Sequence, residues 1–475
     1  MSKAGSMPGH CGSIPPLRVT EYRINQESVS MNLLPRNPMR LHPYLLTAAL
    51  ALPGLAHAND LSRVFDLAVE NDTTIRAAQY QRDAAIESKP QARAALLPQI
   101  NGSYDYGYTD SQSTVAGFGS SNNYGTDKTL SVNLSQSLFS LESWRRLQQA
   151  SEQVALAQAT YRNAEQNLVL RVANAYFGVL SADDTLRSAQ AEKAAVERQL
   201  EQAKKRFEVG LSAITDVQEA QARYDLTVAQ EIQAQQQLSS AREALTEITH
   251  APQKSVATLQ DDFPLPTPTP NDSDQWVSQA LDGNIDLMAA KLGLNIAERG
   301  VQVARSKHLP TIDLTARYVD SSSESGAFPT DATQNSVGVG VTVPILAGGA
   351  VRSGVRQATA TREQRKAEFD GAQRSVERST RDAFQGVVTG AAQVKAYKQA
   401  VVSSTTALEA SETGLEVGAR TAVDVLNAQQ QLYAAQRNYL KSRYDYLISV
   451  LQLKAAAGKL TVADLNEIDR LLITQ

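Results

Sequence analysis

The side chains able to do chemistry are few, and their spacing argues against catalysis. Beyond residue 58 the histidines are His250 and His308, and neither belongs to a recognisable metal-ligand motif. The sole cysteine, Cys11, stands near the start of the chain. There is no G-x-S-x-G, no H-E-x-x-H and no dinucleotide fingerprint, and Gly458-Lys459 lacks the rest of a phosphate loop. These absences favour a conduit over an enzyme and imply neither cofactor nor metal. The residues that stand out instead are carboxylates beside two similar turns. Val209-Gly210 precedes Asp216-Val217, and Val417-Gly418 precedes Asp424-Val425. Matched carboxylates beside repeated turns mark these positions as candidate functional residues. The plainer alternative is that Asp216 and Asp424 stabilise the first turn of a helix through its dipole.

Those turns recur at an offset of 208 residues, and a second pair of anchors recurs at 212. Leu97-Pro98-Gln99-Ile100 returns as Leu309-Pro310-Thr311-Ile312. Each half reads helix, strand, strand, long helix, turn, helix, so an internal two-fold repeat is expected. Proline placement agrees. None of the 17 prolines lies in 99–251 or 345–475, whereas five fall in 252–270, where Phe263–Pro270 reads as a stiff extended linker. The expected organisation is 1–58 as extension and signal peptide, 59–250 as the first repeat and 251–271 as linker. The second repeat then occupies 272–465, and 466–475 forms a tail.

The long helices carry the clearest periodicity. Leu141 to Glu208 contains no proline and one glycine, and as one helix it would extend about 100 Å. Its heptad seam runs Leu168/Val172, Ala175/Val179, Ala182/Leu186, Ala189/Lys193, Val196/Leu200 and Ala203/Phe207, interrupted by Lys193 alone. Shifted by 208, Val376/Thr380 through Ser411/Leu415 keeps the register. Small residues at one position and larger ones at the other let helices approach closely. Flanking helices are expected at 61–96, 214–248, 272–308 and 422–457, stacked in pairs beside each long one, with Pro90 kinking the first. A helical bundle or spectrin-like rod would satisfy the helices alone.

Four segments alternate with period two: 99–110, 129–139, 311–319 and 336–346. Ile100, Tyr104, Tyr106 and Tyr108 oppose Asn101, Ser103 and Asp105, while Val337, Val339, Val341 and Val343 oppose Gly338, Gly340 and Thr342. Each is about the 9–11 residues a tilted membrane strand needs. Residues 111–127 and 320–335, rich in Ser, Gly and Asn, read as external loops. Half-buried hairpins of a soluble sheet are the competing reading.

Export supports the membrane reading. Arg36 and Arg40, the apolar stretch 45–55 and Ala56-His57-Ala58 form a signal peptide with a start at Met31, so that the mature chain begins near Asn59. A single-span anchor would need about 20 apolar residues. Loss of residues 1–58 would leave 41 basic against 48 acidic residues, a balance unsuited to nucleic acid. Four strands cannot close a barrel, and an open edge cannot sit in lipid. Two, three or four copies would supply 8, 12 or 16 strands, and about 12 or more leave an open lumen.

The repeated turn also carries a resemblance. Arg206–Asp225, Glu416–Tyr439 and Arg443–Leu460 are similar to the TolC family of outer-membrane exit ducts, a similarity spanning essentially 59–465. It implies an α+β homotrimer with a membrane β-barrel of four strands per protomer and 12 in all, in outer-membrane lipid. A long α-helical coiled-coil barrel would continue it into the periplasm. It further implies a periplasmic adaptor and an inner-membrane transporter as partners, for drug efflux or type I secretion. By motif match, Asp424 corresponds to a ring aspartate of the periplasmic gate and Arg420 to a linking arginine. Thr215 and Asp216 match its partners on the neighbouring hairpin, and Gln199 a linking glutamine. Gly210 and Gly418 mark the hairpin turns. Asn427 replaces a second ring aspartate and Leu415 a linking tyrosine, so the resemblance implies a less anionic ring and a weaker clasp. A periplasmic coiled-coil or adhesin-like spacer without a pore is the alternative.

Overall fold

The computed structural model describes residues 61–473 except 118, 254–255 and 325–328; Cys11 and the expected signal peptide lie outside them. Three short helices open the described chain: α1 (Leu61–Asn71), α2 (Thr73–Ile86) and α3 (Ser88–Ala94). Strands β1 (Gln99–Val115) and β2 (Gly119–Phe139) lead to α4 (Leu141–Glu208) and α5 (Ile214–Thr249). After β3 (Thr258–Leu259) come α6 (Ser273–Gly283), α7 (Ile285–Ser306), β4 (Thr311–Ser323) and β5 (Thr330–Thr342). The chain continues through α8 (Ala350–Glu416), α9 (Ala422–Ala456), α10 (Val462–Asp469) and β6 (Leu472–Ile473).

The expected single helix over 61–96 is instead three. Asp72 breaks it by capping α2: its Oδ1 accepts the Ile75 N–H at 2.8 Å, and Arg171 of α4 pairs with the same carboxylate at 2.8 Å. Burial opposes the charge of Asp72, but the Arg171 hydrogen bond and the Ile75 amide outweigh it and hold the carboxyl below its usual range. The second break falls at Glu87, so that Pro90 sits in the first turn of α3, where its missing N–H costs no helix bond. Asn284 breaks the 272–308 segment likewise, accepting the Leu287 N–H at 3.0 Å.

The four long strands form one antiparallel sheet in the order β1-β2-β4-β5. The register puts Tyr104 opposite Leu130, Ile100 opposite Leu134 and Ala316 opposite Val337, all on one face. The other face carries Asn101, Asn133, Arg317 and Ser336 in one row. The loops expected at 111–127 and 320–335 are largely strand, because backbone ladders do not require apolar side chains. Polar ones pair across the strands instead: Asp127 accepts from Thr109 Oγ1 at 2.9 Å and from Ser323 Oγ at 2.6 Å. The fourth strand stops at Thr342 rather than 346, two residues before Pro344, which has no N–H to donate.

The largest core lies along the middle of the long helices. Leu168, Val172, Tyr176, Phe177 and Leu180 of α4 meet Phe384 and Val387 of α8, and Tyr444, Leu447 and Leu451 of α9. The proline-rich segment is packed against this core rather than hanging between halves. Phe263 is buried, Tyr176 Oη donates to Ala257 O at 2.9 Å, and Tyr446 Oη donates to Pro266 O at 2.6 Å. Burial raises the Tyr446 phenol to about 12. The fully buried Arg443 donates to Leu259 O and Gln260 O, and β3 pairs with β6. Helix α10 crosses the boundary expected at 465/466. The seam break at Lys193 is met by Glu231 of α5, 2.9 Å away.

Phe177 stacks on Tyr444 at 5.8 Å and is 1% exposed. Phe177→Ala is expected to destabilise the fold by about 3–5 kcal/mol, and Phe177→Leu by much less. Denaturant titration in detergent reads both, and equal losses would contradict this core.

Candidate functional site

The two helical hairpins turn by the same local chemistry. Helix α4 ends at Val209, and Gly210 follows at φ 77°. The Leu211 N–H reaches back to Arg206 O at 2.8 Å and the Gly210 N–H to Phe207 O at 2.9 Å. In the second hairpin Gly418 has φ 78°, with the Ala419 N–H on Gly414 O at 2.7 Å. This glycine-centred closure satisfies the last carbonyls of the helix and needs a left-handed residue. Lys205 and Arg206 complement the dipole in the last turn of α4.

The hairpins differ at the next helix start. Thr421 caps α9, its Oγ1 accepting the Asp424 N–H at 3.2 Å, while Asp424 Oδ2 accepts the Thr421 N–H and hydroxyl at 2.9 Å each. The Thr421 backbone bond, then its hydroxyl, hold the Asp424 carboxyl below its usual range, so it stays charged into mildly acidic solution. At the corresponding place on α5 the cap is Ala213, which offers no side-chain bond, and Asp216 stands in the first turn without a capping box.

Four of the residues expected at the gate, Gln199, Asp216, Leu415 and Arg420, line one cleft of about 270 Å³ between the hairpins of the same chain, together with the hairpin-turn Gly418. Thr215 is exposed, and Asp424, Asn427 and Gly210 lie outside the residues lining that cleft. Asn427 is engaged elsewhere: Arg223 of α5 donates to its Oδ1 at 3.1 Å and to Gln430 Oε1 at 2.8 Å. This α5–α9 tie was not anticipated, although Arg223 follows Asp216 by one heptad and so shares its face. Gly414 was missed as well. A Cβ there would come within 2.6 Å of Arg420 Cγ, so the bare helix surface is where the Arg420 stem lies. A glycine inside the last turn of a long helix was the available signal, since it costs helix stability. Above the tips, Arg437 pairs with the buried Glu192 at 2.6 Å and ties α9 to α4.

An antiparallel sheet with one apolar face, continued by paired helices of about 100 Å that end in two tight tips, defines a class of outer-membrane channels. The chain belongs to the TolC family: the model of the outer membrane efflux protein family matches residues 64–249 and 276–459. It is 38% identical to the outer membrane protein TolC of Vibrio cholerae, over 90% of this chain and 98% of that one. Identity to TolC of Escherichia coli is 36%, covering 91% and 89%. The alkaline protease secretion protein AprF of Pseudomonas aeruginosa is 32% identical, with 85% of each chain covered. Among solved structures, a membrane protein from Pseudomonas aeruginosa superposes with a TM-score of 0.72 at 21% identity, covering 89% of this chain and 96% of that one. The CmeC outer membrane channel of Campylobacter jejuni also gives 0.72, at 17% identity with 92% and 98% covered. The protein therefore resides in the outer membrane and belongs to a family of transport channels.

Gly418→Ala and Gly210→Ala would place a Cβ at positive φ with no neighbouring atom in the way. Each is expected to loosen its tip by about 1 kcal/mol through backbone strain alone. Hydrogen exchange at residues 205–216 and 413–424 reads this, and unchanged protection would contradict it.

Proposed function

We propose that three copies of this chain form a closed conduit: a 12-stranded barrel continued by a 12-helix tunnel and gated at the hairpin tips. The reading rests chiefly on the sheet, whose outer strands β1 and β5 have no partner on their far sides among the described residues. In lipid such edges must be paired, and three four-stranded sheets reach a size that leaves a lumen. Tyr104, Tyr106, Tyr108, Val337, Val339 and Val341 are all exposed in the single chain, as a lipid-facing surface requires. The near-matching lengths of α4 and α8, and caps at Asp72 and Asn284 separated by the 212-residue offset, favour two copies of one ancestral unit.

The conduit serves as an exit duct for efflux pumps, type I protein secretion or both. Similar chains are named for protease secretion in Pseudomonas aeruginosa and for toluene efflux in Pseudomonas putida. A periplasmic adaptor and an inner-membrane transporter complete the path and supply its energy. At the tip, Asp424 places one negative charge per copy near the axis, and its cap preserves that charge. Asp216, outside any capping box, is available with Thr215 to take Arg420 of a neighbouring hairpin. Gln199 and Leu415 line the same cleft, and Asn427, bound to Arg223, braces α5 against α9 instead of adding ring charge.

Outer-membrane fractionation should recover a heat-modifiable trimer; a soluble monomer would contradict the duct. In planar bilayers Asp424→Ala is expected to lower cation selectivity and relieve block by divalent cations. Because Thr421 holds the Asp424 carboxyl below its usual range, block by cations should persist into mildly acidic solution and fade only as the carboxylates protonate. Unchanged selectivity in Asp424→Ala would overturn the ring. Arg420→Ala is expected to raise conductance by loosening the closed tip, and a lower conductance would contradict the clasp.

A further inference from the structure

The polar face of the sheet has an uneven charge distribution. Its charged residues among the described strands are Asp105, Asp127, Asp313 and Arg317. Arg317 is the single cation. Its register neighbours are Asn133 on β2 and Ser336 on β5, both neutral and both from the same chain. The diagonal neighbours Ser131, Ser135, Gln334 and Gly338 are neutral too. Arg317 is exposed, and no ion pair to it occurs among the described residues. Asp313, four residues along the same strand, is about 13 Å away, beyond the 8 Å Debye length of physiological salt. Asp105 lies four rows from Arg317 and two strands across, and Asp127, six rows away, is held by Thr109 and Ser323.

We propose that three Arg317 side chains form a cationic ring inside the barrel, a binding site for polyanions at a level distinct from the acidic tip. The proposal rests on the trimeric exit-duct reading. Twelve strands tilted at about 40° give a barrel of roughly 12 Å backbone radius. An extended arginine spans about half that radius, which brings each guanidinium within a Debye length of the axis. Three such charges meeting across water form a field that a monovalent ion crosses and a clustered polyphosphate occupies. The planar guanidinium is suited to phosphate oxygens, which it can bind in pairs. The duct thus carries an acidic ring where cargo enters and a cationic ring at the Arg317 level of a barrel whose other charged polar-face residues are the aspartates Asp105, Asp127 and Asp313.

The test uses the full-length protein in planar bilayers, with inositol hexakisphosphate added on the barrel side. Wild-type channels should be blocked, Arg317→Gln should need about tenfold more polyanion, and Arg317→Lys, which keeps the charge but not the paired hydrogen bonds, should fall between the two. In a KCl gradient, Arg317→Gln should also shift the reversal potential towards cations. Asp424→Asn should leave barrel-side block unchanged. Equal block of wild type and Arg317→Gln, both conducting, would overturn the ring while leaving the duct intact. Absence of channels in the wild-type protein would overturn the duct and the ring together. A non-conducting Arg317→Gln beside a conducting, polyanion-insensitive Arg317→Lys would also count against the ring.

Discussion

Unpaired backbone at the two margins of a four-stranded sheet is the constraint on which the rest depends. The apolar face of that sheet belongs in hydrocarbon, where no water replaces a missing strand partner, and each unsatisfied group there costs several kcal/mol. A chain that ended its sheet at β1 and β5 and lived alone in lipid would be untenable. Sharing the edges among copies, as the proposed trimer would, removes the cost and would also make a lumen. The helices would inherit that symmetry, because α4 leaves the sheet at the end of β2 and α8 at the end of β5.

The long helices are built to transmit that arrangement. Their middle is held by a large apolar core into which the proline-rich segment and the C-terminal elements are packed, with Arg443 clasping the backbone of Leu259 and Gln260. Towards the tips the core thins to a small cluster around Val196, Leu200, Val217 and Leu426, and polar ties take over. The Lys193–Glu231 pair is half-buried and bridges α4 to α5 where the apolar seam is interrupted. A firm middle and lightly held tips are what the proposed gating at the hairpin tips would need.

Much of this was legible in the sequence for physical reasons. Helix α4 runs over Leu141–Glu208, the span that the heptad seam and absence of proline indicate, because long periodic segments override local preferences. The strand loops were misjudged because Ser, Asn and Gly suggest turns, whereas here hydroxyls and carboxylates pair across strands, as at Thr109, Asp127 and Ser323. The break at Asp72 was missed although the N-cap residue type was a local signal, because the helical pattern continues across it. The cap itself is the short-range bond to the Ile75 N–H, and Arg171, 99 residues away, adds to it. At the tip, the types of Asp424 and Asp216 were plain but their different engagement was not. Thr421 against Ala213 at the two caps decides it, and that comparison needs the helix starts to be known.

The shared-edge account is tested most directly by the number of chains in the detergent-extracted assembly. Native mass spectrometry should show one dominant species of three chains, surviving dilution and separating only when the barrel is denatured. A stable single chain carrying the intact sheet would contradict it, and so would an assembly of two or four.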